Sequence, residues 1–353
     1  NSVLSAGTWY RFPVTSDGMY KLSGQALLSA GVPPGTDPRT IRIFGNGGHE
    51  LPADVASPSP DELLENAVFV GDAGTTGALD PGDYILFYAR GTRGWNYDAG
   101  TRTFSHSINH FAETGIYWLT YGNGPGKAMA AIPSLGQSPA TVPSTALGMF
   151  FREDDRVNLL SSGQEWLGPP LGNGEQATYV QSLPGLDTSQ AVNYRFHLGA
   201  QSHNFSTITI REHGVQLGSA VGLNGTDVGS DFARQLIDAV AARSIKPGFS
   251  DEQSQLRFAY STANASGTGY IDWYEIYYRR LLRAQNDLFN FRAPDTSAVV
   301  EYAVSGFSGG TVFVFDATKF DSVVLVSNPH VSADTCSFQI QLSPGTSREL
   351  YVT

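Results

Sequence analysis

Short runs of alternating or continuous apolar residues recur along the whole chain, and turn residues separate them. Residues 84–88 (YILFY) are nearly all apolar, which predicts a strand that is buried on both faces. Residues 115–121, 191–198, 255–260 and 311–315 combine aliphatic and aromatic side chains in runs of strand length. Long windows with helical periodicity are few. The pattern therefore predicts a mainly β protein, built from tandem β-sandwich or jelly-roll domains.

The run 269–280 (GYIDWYEIYYRR) is a strand signal around which the rest of the chain can be arranged. With a period of two, its two faces carry Tyr270, Asp272, Tyr274, Ile276 and Tyr278 on one side, and Ile271, Trp273, Glu275, Tyr277 and Arg279 on the other. Because both faces hold aromatic residues, we expect a central sandwich strand with Trp273 in the core. The alternative is a ligand platform, in which Trp273, Tyr274, Asp272 and Trp166 are the candidate binding residues.

Two stretches give more local predictions. Residues 9–14 and 19–22 flank Asp17 and Gly18, which predicts a hairpin. Five apolar residues in 232–243 have helical spacing: Phe232, Leu236, Ile237, Val240 and Ala241. A strand is the alternative in a β protein, and the sequence does not decide between helix and strand here.

The spacing of these strands suggests three units. We expect an N-terminal β domain over 1–149, a jelly-roll-like β-sandwich over 150–285, and a small β unit over 286–353. The stretch 128–147 is rich in Ala, Pro and Ser and predicts a linker or a long surface excursion. The last unit is short for an isolated domain, so we expect it to pack against neighbouring parts of the protein.

Composition narrows the function classes. The net charge of the 353-residue chain is −11, which argues against nucleic-acid binding, because that function needs a basic surface. No run of about twenty apolar residues occurs, so we expect no membrane span. From the first residues we expect a mature or trimmed N-terminus rather than a signal peptide.

The single cysteine and the histidines are weak candidates for chemistry. Cys336 alone cannot form an intramolecular disulfide or a Cys-rich zinc site, and its strand-like context favours a structural thiol. His49 follows a glycine loop and is expected to be solvated. His106 and His110 have a spacing that would suit a metal on a helix, but their neighbours do not predict a helix. We therefore predict no catalytic residue and no metal ligand in this chain.

Two acidic groups leave calcium binding open. Asp80 with Asp83 forms one group, and Glu153, Asp154 and Asp155 form the other. Calcium takes six to eight oxygen ligands and tolerates flexible loops, but neither spacing matches an EF-hand loop. Solvated turns are the simpler interpretation, and calcium in a sandwich loop is the alternative.

A set of phrases occurs in the same order as in one known family. They are Ser2-Val-Leu-Ser5, Trp9-Tyr10, Gly18-Met-Tyr-Lys21, Ile43-Phe-Gly-Asn-Gly-Gly48, Leu51-Pro52, Gly82-Asp-Tyr-Ile-Leu-Phe-Tyr-Ala89, Trp95, Phe104-Ser-His106, Tyr117-Trp-Leu-Thr120, Ser162-Gly-Gln-Glu-Trp166, Asp272-Trp-Tyr-Glu275, Arg279, Ser305-Gly-Phe307 and Val314-Phe-Asp316. Together they resemble the N-terminal region of PorU-type proteins, the gingipain-like cell-surface sortases of type IX secretion.

The resemblance implies a non-catalytic region of a larger protein. In that family a caspase-like cysteine-peptidase domain follows these β regions, and its own His and Cys form the catalytic dyad. The implied partners are this peptidase domain, secreted protein substrates and outer-membrane components, and the implied location is the bacterial cell surface. A carbohydrate-binding β-sandwich module is the alternative function. A buried row of aromatic side chains in 269–280 would favour the scaffold function, and an exposed row would favour carbohydrate binding.

Overall fold

The computed structural model confirms the mainly β prediction. It describes residues 2–52, 54, 56–72, 74, 77–159, 161, 166–230 and 234–353. The chain divides into two compact units, of which the first combines Asn1–Pro143 with Arg283–Thr353 and the second is Ser144–Leu282. The described part of the chain contains no helix with the length and apolarity that a membrane-spanning segment needs.

The described residues of the first segment form ten strands and one short α-helix. They are β1 Tyr10–Val14, β2 Gly18–Ser23, α1 Gly24–Ser29, β3 Arg42–Phe44, β4 Glu65–Asn66, β5 Val68–Gly71, β6 Tyr84–Ala89, β7 Arg93–Asp98, β8 Thr103–Ile108, β9 Gly115–Thr120 and β10 Ala130–Pro133. Short 3-10 helices cover Val3–Ser5 and Pro38–Thr40. Helix α1 begins where the Ser23 hydroxyl accepts a hydrogen bond from the Ala26 amide at 3.2 Å, which satisfies one of the free donors of the first turn.

In the part of the chain that the structure describes, ten strands form the middle segment and seven more follow. The middle strands are β11 Thr145–Glu153, β12 Pro170–Gly172, β13 Gln176–Ser182, β14 Val192–Gln201, β15 Ser206–Glu212, β16 Val215–Gln216, β17 Val221–Leu223, β18 Ile237–Ile245, β19 Gln253–Thr262 and β20 Thr268–Leu281. The last strands are β21 Phe289–Arg292, β22 Ala298–Val304, β23 Val314–Asp316, β24 Val324–Ser327, β25 His330–Ser332, β26 Thr335–Leu342 and β27 Glu349–Val352.

Strand β6 lies inside the first unit, between two apolar clusters. It belongs to a sheet of order β2-β6-β5, beside a sheet of order β1-β9-β3-β4 and a run of order β10-β24-β23-β27-β21. Ile85 and Phe87 join a cluster with Ile43 and Leu119 of the β1-β9-β3-β4 sheet. Tyr88 on the opposite face joins a cluster that includes β23 and β27. Burial on both faces explains why this strand is almost continuously apolar.

The predicted hairpin between β1 and β2 is wrong. Strand β1 pairs with β9, and β2 pairs with β6, so the two strands belong to different sheets. The turn between them is held from outside, because the Gly91 amide donates a hydrogen bond to Asp17 Oδ1 at 2.9 Å. The sequence signal for the turn was correct, but the turn carries the chain from one sheet to the next.

The stretch 128–147 contains the boundary between the two units, after Pro143, and its strand β10 is exposed at every residue, which agrees with a surface excursion. Its strand β10 pairs in parallel with β24, and the Ala140 amide donates a hydrogen bond to the Val299 carbonyl at 2.9 Å. These contacts tie it to the last segment of the chain, which therefore lies in the same compact unit as the first segment. This division into two units differs from the expected three, because residues distant in sequence share sheets.

The second unit is a two-layer sandwich. One sheet has the order β11-β20-β14-β18 with β12 beside β20, and the other has the order β13-β19-β15-β16 with β17 beside β15. The core between them contains Phe196, Ile210, Phe258, Tyr274 and Ile276, each at most 1% exposed. The open question about 232–243 is answered for the described residues, because β18 is a strand paired with β14. Phe232 lies outside the described residues.

Asp17 has a raised pKa within the first unit. Burial raises the pKa of this carboxyl to about 6, and the negative charge of Glu349 adds to the effect. Glu349 is itself buried, accepts a hydrogen bond from the Tyr88 hydroxyl at 2.9 Å and pairs with Arg292 at 2.7 Å. The folded protein therefore holds a proton on Asp17 at a pH at which the unfolded chain has released it.

We predict that the Asp17 carboxyl makes the first unit less stable as pH rises. A folded-state pKa above the unfolded value means that stability is lost between about pH 4 and pH 6 and stays constant above that range. Asp17→Asn keeps the Oδ1 acceptor and removes the charge, so it should gain on the order of 2 kcal/mol relative to wild type across this window. Chemical unfolding at several pH values checks this. A stability difference that does not change with pH would contradict it.

Candidate functional site

A β-bulge in the long strand β20 organises the outer face of the second unit. His197 of β14 pairs with Trp273, but the next residue, Leu198, pairs with Ile271. Asp272 is therefore the extra residue, and the alternation of faces shifts by one position at this point. Ile271 consequently shares the core face with Tyr274, and Trp273 points to the opposite face. A strict period of two had assigned Ile271 and Trp273 to the same face.

A loop crosses the outer face next to the bulge. A Cβ atom at Gly168 would lie 2.1 Å from the Ile271 carbonyl oxygen, so this close approach of two backbones requires glycine. Leu167 beside it is 1% exposed and packs with Leu236 and Tyr270. Trp166 precedes this anchor and is 38% exposed. The phrase that contains Trp166 begins at residues 162–165, which lie outside the described residues.

Asp272 starts a chain of charged hydrogen bonds. Its Oδ2 lies 2.6 Å from His197 Nδ1, and His197 Nε2 lies 3.1 Å from Asp238 Oδ2. Arg234 then donates a hydrogen bond to Asp238 Oδ1 at 2.6 Å. Asp272 is 8% exposed, and its Oδ1 atom has no hydrogen-bond partner among the described residues. The chain thus connects the bulge in β20 to β14 and to the beginning of β18.

The two carboxylates favour the charged form of the imidazole. Burial alone would lower the pKa of His197, but hydrogen bonds and charge interactions with Asp272 and Asp238 raise it above its usual value. Burial would raise the pKa of Asp238, but its bonds to His197 and Arg234 hold that pKa below its usual value. His197 therefore keeps its proton to a higher pH than an unperturbed histidine does.

Charged side chains flank the half-buried Trp273. The His197 ring lies 5.6 Å from the Trp273 ring at an angle of 31°, and the Arg195 guanidinium lies 5.7 Å from the same ring. Arg195 also donates a hydrogen bond at 2.9 Å to Glu275, whose side chain is 1% exposed. Tyr277 donates another to the same carboxylate at 2.9 Å. The Trp273 ring is therefore part of a packed polar layer.

The structure brings together two of the four candidate binding residues. Asp272 and Trp273 meet around His197, whereas Tyr274 is 1% exposed on the core face and Trp166 lies on the crossing loop. The expectation that Trp273 is a core residue is wrong, because the bulge turns it to the half-buried outer face. Tyr270, Tyr274 and Tyr278 are buried and Tyr277 is half-buried, so this strand presents no exposed row of tyrosines.

Sequence reasoning missed Arg195, His197, Asp238 and Glu275. A usable signal was present in β14, where the polar residues Asn193, Arg195 and His197 alternate with apolar ones. That pattern marks a polar outer face.

The Asp272–His197–Asp238 arrangement suits structure rather than catalysis. A general base needs one imidazole nitrogen free to take a proton from a nucleophile. Here both ring nitrogens of His197 lie within hydrogen-bond distance of carboxylates. The network therefore cross-links three strands at the bulge.

Cys336 has the environment of a structural thiol. It is 0% exposed, and burial raises its pKa to about 11. Because the thiolate is the nucleophile, a thiol with this pKa is almost unreactive at neutral pH.

The remaining metal candidates have other partners. His106 lies in strand β8 against Trp95, and His110 lies beyond its end and pairs with Glu50 at 2.7 Å, so the two histidines do not share a helix. His49 is half-buried rather than solvated, and burial lowers its pKa.

The two acidic groups that were calcium candidates form hydrogen bonds within the protein. Asp83 Oδ2 accepts a hydrogen bond from the Asp80 amide at 2.8 Å. Arg152 donates one to Asp154 at 2.7 Å. Calcium binding at these carboxylates stays a prediction.

Fold and site together define a mainly β region with two compact units and a hydrogen-bonded polar network on the outer face of the second unit. The chain is similar in fold to PorU from Porphyromonas gingivalis, whose crystal structure is of a dimeric latent form. The TM-score is 0.83 with 19% sequence identity, over 100% of this chain and 32% of PorU. This likeness shows a PorU-like fold. The chain spans about a third of the length of that structure.

Two further solved structures that match the chain are much less similar than PorU. The insecticidal delta-endotoxin Cry8Ea1 from Bacillus thuringiensis has a TM-score of 0.28 and 9% identity, over 67% of this chain and 52% of that one. BuGH86 in complex with neoagarooctaose has a TM-score of 0.24 and 10% identity, over 79% of this chain and 32% of that one. Scores this low carry no argument. No protein-family model and no curated protein matches the chain.

We predict different costs for truncating two neighbouring aromatic residues. Tyr274→Ala empties a position in the sandwich core and should cost about 3–5 kcal/mol of unfolding free energy. Trp273→Ala removes a half-buried ring on the outer face and should cost about 1–2 kcal/mol. Denaturant unfolding of both variants checks the difference. Equal losses, or a larger loss for Trp273, would contradict the position of the bulge.

We also predict that His197 stabilises the second unit in a pH-dependent way. Its folded-state pKa is raised, so its contribution is complete below about pH 6.5 and is lost as pH rises through the folded pKa. His197→Gln should therefore cost about 1–3 kcal/mol near pH 6 and clearly less near pH 9. Unfolding measured at both pH values tests this, with His203→Gln, at an exposed histidine of the same unit, as the matched control. A cost that increases with pH would show that the histidine is held neutral.

Proposed function

We propose that this chain is a non-catalytic N-terminal region of a larger cell-surface cysteine peptidase or sortase of the gingipain-like, type IX secretion class. The observation that carries the proposal is the PorU-like fold, which extends over the whole chain and over only 32% of PorU. The ordered phrases in the sequence support the same assignment independently of the fold.

Within such a protein the chain would act as a scaffold. It would position a caspase-like peptidase domain that follows it, and it would engage secreted protein substrates or outer-membrane partners. We place the parent protein outside the cell, associated with the outer membrane. The acidic net charge of −11 is compatible with this location and disfavours nucleic acid as a partner.

Catalysis would belong to the following domain. Within this chain, Cys336 is buried with a pKa of about 11, and His197 has both nitrogens committed to carboxylates. Neither side chain has the environment of a peptidase dyad member, which needs a reactive thiolate and an available imidazole.

We predict that the isolated chain does not cleave proteins. Incubation with denatured protein and with peptide libraries, with and without a thiol reductant, should give no products above background. Cys336→Ala should leave that result unchanged. Cleavage by the wild-type chain that Cys336→Ala abolishes would overturn the assignment as non-catalytic.

The coding sequence downstream of Thr353 tests the proposal as a whole. We expect it to encode a caspase-like domain with its own catalytic His and Cys, and surface labelling of intact cells should detect the parent protein. A parent without such a domain would contradict the proposal.

A further inference from the structure

We propose that the free edge of strand β13 binds an extended segment of polypeptide by strand addition. This inference deepens the substrate-engaging part of the proposed function and rests on it. Strand β13, Gln176–Ser182, ends its sheet and pairs with β19 alone among the described strands. Its side chains alternate between exposed and half-buried along the whole strand. An edge of this kind offers a row of backbone donors and acceptors to a further strand.

The hydrogen-bond phase shows which residues face the free edge. The Leu183 amide donates a hydrogen bond to the Glu252 carbonyl at 2.6 Å, directly across the ladder. The Tyr260 amide likewise donates to the Glu175 carbonyl at 3.1 Å. In an antiparallel pair these inward-facing residues alternate with outward-facing ones. The even-numbered residues therefore direct their amides and carbonyls to the open edge: Gln176, Thr178, Val180 and Ser182.

Strand β13 also lacks the protection that edge strands usually have. Its sequence, QATYVQS, contains no charge and no proline, and its register with β19 continues without a bulge. The other edges of the unit differ. Strands β12, β16 and β17 are two or three residues long. Strand β18 carries Asp238 and Arg243, and Arg243 donates to the carbonyls of the 217–219 segment.

The size of the edge argues for a peptide segment rather than a second copy of the chain. Seven residues span about 23 Å at the usual rise. A strand docked along them would cover about 200–300 Å² per partner, whereas a stable protein interface covers about 800 Å² per partner. An extended segment bound transiently fits this area, as in peptide recognition by sheet edges.

Charge complementarity indicates what such a segment carries. Exposed Arg257 lies opposite Thr178 on β19, and Arg211 lies opposite Arg257 on the next strand. Two like charges face each other there, and no described residue forms an ion pair with Arg257. An acidic residue beside Thr178 would lie within reach of the Arg257 side chain. Val180, which is 50% exposed, favours an apolar neighbour two positions away.

The test uses the whole chain and a defined probe. The probe is a capped, fluorescein-labelled heptapeptide of alternating Val and Thr with one Glu, and binding is measured by fluorescence anisotropy. Val180→Pro removes an amide that faces the free edge and leaves the β19 ladder intact, so binding should weaken about tenfold. Val180→Thr keeps the amide and the branched side chain and should bind within about twofold of wild type.

Three further measurements make the outcome decisive. The same peptide with every amide N-methylated should not bind, whatever the folding of the protein variants. Amide exchange should slow at Thr178 and Val180 when the peptide is added. Arg257→Gln should remove any preference for the peptide with Glu over the one with Gln. Equal binding by Val180→Pro and wild type, or binding of the N-methylated peptide, would overturn the proposal.

Two other results would also overturn it. No binding of the probe by wild type would exclude strand addition. Concentration-dependent dimerisation in sedimentation that Val180→Pro abolishes would assign the edge to a second copy of the chain. The proposed function is tested separately by the downstream coding sequence, so the two can fail independently.

Discussion

One extra residue in one strand sets the arrangement of the second unit. Asp272 is the extra residue of β20 at the point where the paired strand β14 passes from His197 to Leu198. It shifts the alternation of faces along β20 by one position. Before the bulge Ile271 faces the core, and after it Tyr274 and Ile276 do. Without the extra residue, the two halves of the strand could not both direct apolar side chains inward.

A bulge interrupts the hydrogen-bond ladder and leaves polar backbone groups unpaired. The residues around it therefore matter for the stability of the strand. Here the buried carboxylate at the bulge binds His197, and His197 binds Asp238 on the next strand. Gly168 brings a second backbone close to the Ile271 carbonyl from the outer side. The Asp272–His197–Asp238 network beside Trp273 is therefore explained by the buried carboxylate at the bulge. No catalytic or sugar-binding role is required to account for it.

Much of the fold could be predicted from local pattern, because burial determines alternation within a strand. The doubly buried β6 and the mainly β class followed from apolar runs alone. The hairpin of β1 and β2 failed because a turn signal does not specify which strand becomes the partner. The pairing of β10 and the residues after it could not be predicted, because partners such as Val299 and Ser327 are more than 150 residues away in sequence. Composition singled out Asp272 and Trp273 as candidate residues. The faces on which they lie and the residues they contact could not be predicted, because a bulge shifts the alternation of faces and has no signal in the sequence.

Deletion of Asp272 is the measurement that tests this account most directly. The deletion removes the extra residue and forces either Ile271 or the Tyr274–Ile276 side chains out of the core. We expect the second unit to lose its cooperative unfolding transition, while the first unit keeps its own. Deletion of Ala265, in the exposed turn before β20, serves as the control and should be tolerated. A protein without Asp272 that unfolds with the wild-type midpoint in both units would contradict the central role of the bulge.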